Sequence, residues 1–166
     1  KPEKVSQKDI FANDYPDLAL LRVNISKHPC VYLDGDFQVR DEFYSFGYTS
    51  DQPKGEGATV DCEGTYDEDY HLIKLKMGQI QQGASGSPLL SSRTERVCGM
   101  IQMSRDTESD RGGFAFPIES VNSFFPGILE INKRFHDRDK RWEDASAHQA
   151  CRFHCSCLIC KARHCC

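Results

Sequence analysis

Several shortages in this 166-residue chain each remove a class of protein. No run of apolar residues approaches the roughly 18 to 20 that a membrane-crossing helix needs, so a transmembrane helix is excluded. Basic residues are in deficit, 21 against 25 acidic for a net charge of −4. Affinity for phosphate needs a concentrated surplus of Lys and Arg, so a general nucleic-acid binder is excluded too. Glycine, 12 of 166, is too sparse for a collagen-like chain, and no repeat of solenoid or propeller length is present. Cysteine is scarce through the first 150 residues, where only Cys30, Cys62 and Cys98 occur. Three thiols cannot all pair, and their spacing does not resemble a disulfide framework. No basic-then-apolar leader precedes a cleavage site, and the first residue is Lys1. A secretory signal is therefore not visible, and the biological start is expected to lie elsewhere.

What the chain does have is a body and an unlike tail. The last sixteen residues hold Cys151, Cys155, Cys157, Cys160, Cys165 and Cys166, with Arg152, Lys161 and Arg163 and no acid. The first 150 carry 18 basic against 25 acidic residues, or −7. With 39% hydrophobic residues in recurring clusters, the body can bury a core and is not a disordered chain.

Runs of apolar and β-branched residues separated by Gly, Asp, Asn, Ser and Pro predict strands or buried extended segments at Leu18–Val23, Phe37–Tyr48, Ala58–Tyr66, Tyr70–Leu75, Pro88–Leu90, Val97–Met103 and Gly113–Pro117. Seven such pieces without alternating helices favour an all-β sandwich or barrel. Ile118–Phe125 is predicted as a helix: Pro117 precedes it, Ile118, Val121, Phe124 and Phe125 recur at helical spacing, and Pro126-Gly127 stops it. Lys133–Asp144 alternates charges around Phe135 and Trp142 and reads as a solvated helix or linker.

The segment with most chemical content is Gly83-Ala84-Ser85-Gly86-Ser87-Pro88, after Gly78-Gln79-Ile80-Gln81-Gln82. Glycines on either side of a serine permit positive φ and leave room for a substrate carbonyl beside the hydroxyl. Backbone N–H groups on such a turn can converge on an oxyanion, often the largest contribution in acyl transfer. Alone, the string is also compatible with an ordinary loop. Two further segments bear on it. Asp17 heads the apolar run Leu18-Ala19-Leu20-Leu21-Arg22-Val23, although an Asp after Pro16 is commonly a turn or cap residue. Downstream, Val97–Ile101 and Gly113–Ile118 are two glycine-bearing apolar strands split by a polar loop.

Asp, then Ser, then two such strands resembles the trypsin-like (chymotrypsin-fold) serine peptidases, in particular the short bacterial and organellar branch that includes HtrA-type and glutamyl endopeptidases. The likeness covers about residues 10–125. It implies an all-β, trypsin-like double β-barrel with the C-terminal barrel nearly complete, the N-terminal barrel truncated, and a short C-terminal helix following. It implies residues 1–128 as a partial peptidase domain, 129–147 as a charged helix or linker and 148–166 as a Cys/His-rich tail. Ser85 would be the nucleophile, the backbone N–H groups of Gly83 and Ser85 the oxyanion hole, and Asp17 the carboxylate that orients the imidazole. Gln79 would stand at the base of the specificity pocket, with Met103 and Ser104 along its wall; a neutral Gln there argues against cleavage after Arg or Lys. No cofactor is implied, and the partner is a peptide or protein substrate, not nucleic acid or membrane.

The base is what the sequence lacks. In that family the imidazole precedes the Asp, yet none of the sixteen residues before Asp17 is His. A serine hydroxyl is a poor nucleophile without a base. His28 and His71 could serve only by a rearrangement foreign to the family, and His136, His148, His154 and His164 lie after the motif. The fragment is thus expected to be inactive unless an upstream segment supplies the His, and further domains of a longer chain are expected. Its alternative is a pseudoprotease or peptide- or partner-binding module.

In the tail, Cys157-Leu158-Ile159-Cys160 is the one pair with zinc-knuckle spacing, and the second pair that a structural zinc site uses is absent. Disulfides, lipidation or sequence read past the natural end of a domain account for the tail as well, the last being the default. Asp61–Asp69 lacks the regular oxygen spacing of a calcium loop and reads as a solvated hairpin turn. The three thiols of the body lean the compartment toward the cytoplasm of a bacterium.

Overall fold

The structure is a computed structural model that describes residues 18–24, 30–49, 52–66, 71–81, 83–104 and 111–145, with the side chains of Met103 and Ser104 outside the description. Six strands carry it: β1 Glu42–Gly47, β2 Glu56–Tyr66, β3 Leu72–Lys76, β4 Pro88–Ser91, β5 Val97–Ser104 and β6 Gly113–Pro117. Each pairs antiparallel with its neighbours in the order β1-β2-β3-β6-β5-β4, and β1 closes back on β4 to make a barrel. Closure removes the unpaired strand edges that an open sheet would leave.

Side-chain alternation explains why these segments close around one core. Phe43 and Ser45 on β1, Val60 and Cys62 on β2, Ile73 and Leu75 on β3, and Leu89 and Ser91 on β4 are buried, while their immediate strand neighbours are exposed or half-buried. That two-residue period is the pleat of a strand with one face in the core. Ile80, Cys98, Ile101 and Ala115 complete the interior, and Phe37 packs against it from outside the strands. Ser91, fully buried, is satisfied by accepting from the N–H groups of Arg93 and Thr94, which shapes the turn between β4 and β5.

Gly113–Pro117 is a strand to the residue, and Pro117 ends it in the extended conformation that starts α1 at Ile118–Phe124. A second helix, α2, runs over Ile128–His136 from Gly127. It is built into the body through segment 30–36. Asn132 donates to Val31 O at 2.8 Å and accepts from Leu33 N at 2.9 Å. His136, 2% exposed, places Nε2 3.1 Å from Val31 O and stacks flat on Tyr32 with ring centroids 4.4 Å apart. Arg96 covers the Tyr32 ring at 4.1 Å and pairs with Asp34 at 2.7 Å, and the same segment bonds Val97 on β5 through Tyr32 O and Asp34 N.

Three expectations are corrected. Residues 18–24 form no strand, and Leu20, Leu21 and Val23 are 61, 78 and 64% exposed: among the described residues no strand pairs with them, so apolar character alone does not make them core. The predicted strand Phe37–Tyr48 begins only at Glu42. Gln38–Asp41 turns instead, with Asp41 N donating to Gln38 O and Gln38 N to the Asp41 carboxylate. Within the predicted solvated stretch 133–144, His136 is buried, for the reason just given.

Candidate active site

The loop from β3 to β4 carries Ser85. Ala84 N donates to Gln81 O and Ser87 N donates to Ala84 O at 3.0 Å, so Ala84–Ser87 is a tight turn with Ser85 and Gly86 at its centre. Gly86 has φ +86°, the torsion a type II turn demands at its third position. Space around Gly86 is open, so backbone torsion and not crowding is what requires glycine there. Ser85 is exposed at the second position.

Three hydrogen bonds strap this turn onto β5. Gly86 N donates to Ile101 O at 2.8 Å, Ile101 N to Ser87 O at 2.9 Å, and Ser85 Oγ to Gln102 O at 2.7 Å. The last acceptor is available because the β5–β6 register shifts between Ile101 and Met103, making Gln102 the extra residue of a bulge. Bulges often re-aim groups beside active sites in this way. Gln102 Oε1 is itself buried without a hydrogen-bond partner among the described residues. Sequence reasoning missed Gln102 because a bulge carbonyl leaves no mark in residue type.

Among the described residues, nothing accepts from the N–H of Gly83 or of Ser85. Gly83 also has positive φ, +95°, and so reverses the chain just ahead of the serine. A hydroxyl beside two open N–H donors on a braced turn has the elements that stabilise charge developing on a carbonyl oxygen.

A base is not brought to this turn by either described histidine. His136 is engaged with Val31 and Tyr32. His71 immediately precedes β3, and the Ser85 hydroxyl is given to Gln102 O and not to an imidazole among the described residues. Asp17, His28, His148, His154, His164 and the tail pair Cys157 and Cys160 lie outside the described residues.

Backbone register gathers the segments assigned to substrate choice at one end of the barrel. Gly78 pairs with Arg111, Gly112 N donates to Gly78 O at 3.1 Å, and Ser104 pairs with Gly113. Gln79 and the end of β5 at Met103 and Ser104 therefore both adjoin Arg111–Gly113. Arg111, exposed there, was not singled out from the sequence, where it follows a long polar loop. A cavity of about 40 Å³ beside the turn is lined by Gln79, Ile80, Ala84 and Ser87 with Ser45 and Thr49 of β1 and its following turn. It has room for about one to three waters.

Cys30, Cys62 and Cys98 are free thiols. Burial pushes the Cys62 thiol up and that of Cys98 up to about 12, so neither is a nucleophile at neutral pH. Among the described residues no cluster of His, Cys, Asp and Glu is arranged to hold a metal ion, and no helix is long and apolar enough to cross a membrane.

No protein-family model and no curated protein matches the sequence. The solved structure of Deg5 is similar to the chain with 20% sequence identity and a TM-score of 0.47, over 60% of this chain and 48% of that one. The chain spans about half the length of that structure.

Proposed function

We propose that this chain is part of a trypsin-like serine endopeptidase, its six-stranded barrel being the second of two, with Ser85 as nucleophile. The observation that carries the reading is the turn itself: an exposed serine between two positive-φ glycines, braced on a bulged strand, with the N–H groups of Gly83 and Ser85 open among the described residues. In the proposed reaction Ser85 Oγ adds to the scissile carbonyl carbon while its proton passes to an imidazole. The oxyanion sits on the N–H groups of Gly83 and Ser85. Collapse breaks the C–N bond, the amine leaves with that proton, and water repeats the sequence on the acyl-enzyme. Asp17 would orient the imidazole, and neutral Gln79 would disfavour basic residues at the cleavage site. The imidazole has to come from chain preceding Asp17, so residues 1–166 alone would be inactive or nearly so.

A fluorophosphonate probe tests this on a natural form of the protein extended upstream. Stoichiometric labelling mapped to Ser85, lost in Ser85→Ala and on replacing an upstream His, is the expected result. Absence of labelling in a folded, extended chain would sink the enzyme reading. A second reading rests on a specific observation, that the Ser85 hydroxyl is given to Gln102 O and no described histidine hydrogen-bonds it: a pseudoprotease that binds peptide without cleaving it. It predicts peptide binding at the serine turn with no covalent adduct.

A further inference from the structure

The cavity beside the serine turn owes its space to small residues from three elements. Ser45 and Gly47 come from β1, Ala58 from β2, and Ala84 and Ser87 from the turn itself. A Cβ on Gly47 would run into Ser87 Oγ, so the end of β1 lies directly against the turn. Two hydroxyls line this space without a protein partner. Ser45 and Ser87 are 7 and 8% exposed, and neither side chain makes a hydrogen bond among the described residues. Neither oxygen is closed off by protein, unlike the unpaired side-chain oxygens of Thr94 and Gln102. Ser45 also occupies an inward position of β1, in the same row as Phe43, where the strand period calls for an apolar side chain. A buried hydroxyl that bonds to no protein atom needs a solvent partner, because leaving it unpaired destabilises the fold.

We propose that this cavity is a hydration site in which bound water bridges Ser45 Oγ to Ser87 Oγ and so ties the core face of β1 to the turn that presents Ser85. The volume of about 40 Å³ suits one to three waters, and Thr49 and Gln81, half-buried in the lining, supply further polar atoms. Val60, Ile80 and Ile101 form apolar walls that leave the hydroxyls as the points of attachment. Glu56, the one charged residue of the lining, is exposed and solvated from outside. An apolar occupant is disfavoured, since it would leave both hydroxyls unpaired. The bridge completes the support of the turn. Direct bonds already hold it from β5, where Ile101 N donates to Ser87 O and Gly86 N to Ile101 O. Water then holds it from β1. Ser85 and Gly83 do not line the cavity, so the inference stands apart from the reaction proposed for Ser85.

A high-resolution crystal structure of the whole chain, with a second crystal under xenon pressure, tests the site. One to three waters are expected in the cavity, at least one of them within hydrogen-bond distance of both hydroxyls, with xenon excluded. A dry cavity, xenon bound in it, or an ion in place of water would overturn the proposal. Hydrogen exchange in solution tests the link to the turn. Ser45→Ala removes one anchor, and Ala58→Val fills the space from β2 while keeping both hydroxyls. Each should speed exchange of the Gly86 and Ser87 amides about threefold or more while the β3 amides keep the parent's rates. Ala58 is half-buried, so its variant supplies the reading if circular dichroism shows that Ser45→Ala does not fold. Unchanged exchange at the turn, or an equal rise throughout the barrel, would contradict the bridge.

Discussion

The barrel and the α2 arm are held by opposite means. In the barrel every strand sends its apolar face inward, and Phe43, Ile73, Leu75 and Leu89 are fully buried. The arm sends in Asn132 and His136 and is held by hydrogen bonds to Val31 and Leu33 and by the Arg96–Tyr32–His136 stack. Burial of area is tolerant of small displacements, whereas each polar bond is lost whole when its partner leaves. The barrel should therefore set global stability, and the arm should open as a separate, weaker unit.

Breaking the barrel should have the largest effect. Phe43→Ala removes a fully buried ring and is expected to cost about 3–5 kcal/mol in urea unfolding, through lost burial and a cavity. Asn132→Ala should cost about 1–3 kcal/mol, because Val31 O and Leu33 N lose a buried partner. Its signature is regional: hydrogen exchange should rise in segment 30–36 and α2 more than in the strands. Equal loss of protection everywhere would erase the distinction between the two parts.

Titration sharpens the comparison from both ends of the pH scale. Cys98 sits in the barrel with its thiol raised from 9.0 to about 12, so the folded state keeps the proton that the unfolded chain gives up. Stability from this burial is complete below about pH 9 and drains away as pH climbs toward 12; Cys98→Val should remove that slope in alkaline denaturation. Asp41 shows the reverse sign: the Arg93 guanidinium holds its carboxyl below the usual range. That contribution is present above about pH 4 and is lost as pH falls through the lowered value, so Arg93→Ala should move acid unfolding to higher pH. The smallest effect belongs to the apolar residues outside both parts. Leu21→Ser, at a side chain 78% exposed, should stay within about 0.5 kcal/mol of the parent in the same urea measurement.

These differences also account for what the sequence could reveal. Barrel strands announce themselves because burial and pleat share a period of two, which is why Gly113–Pro117 is read to the residue and β2 to within two. Leu18–Val23 has the same apolar character but no strand partner among the described residues, and pairing is not written in hydropathy. Helix α2 defeats hydropathy because its inward residues are polar, their burial made tolerable only by a segment a hundred residues away. At the site, the Gly83–Pro88 string exposes the turn, since positive φ needs glycine. The Gln102 carbonyl and the approach of Arg111 to Gly78 stay hidden, because backbone register creates them.

The central claim is that the turn built around Ser85 can hold an acyl group. Its most direct measurement is mass spectrometry of the upstream-extended protein after reaction with an activated peptide ester that does not carry Arg or Lys at the cleaved position. The account predicts one acyl group per chain, located on Ser85, absent from Ser85→Ala and retained in Ser87→Ala. Acylation elsewhere, or none in a protein shown to be folded, would contradict it.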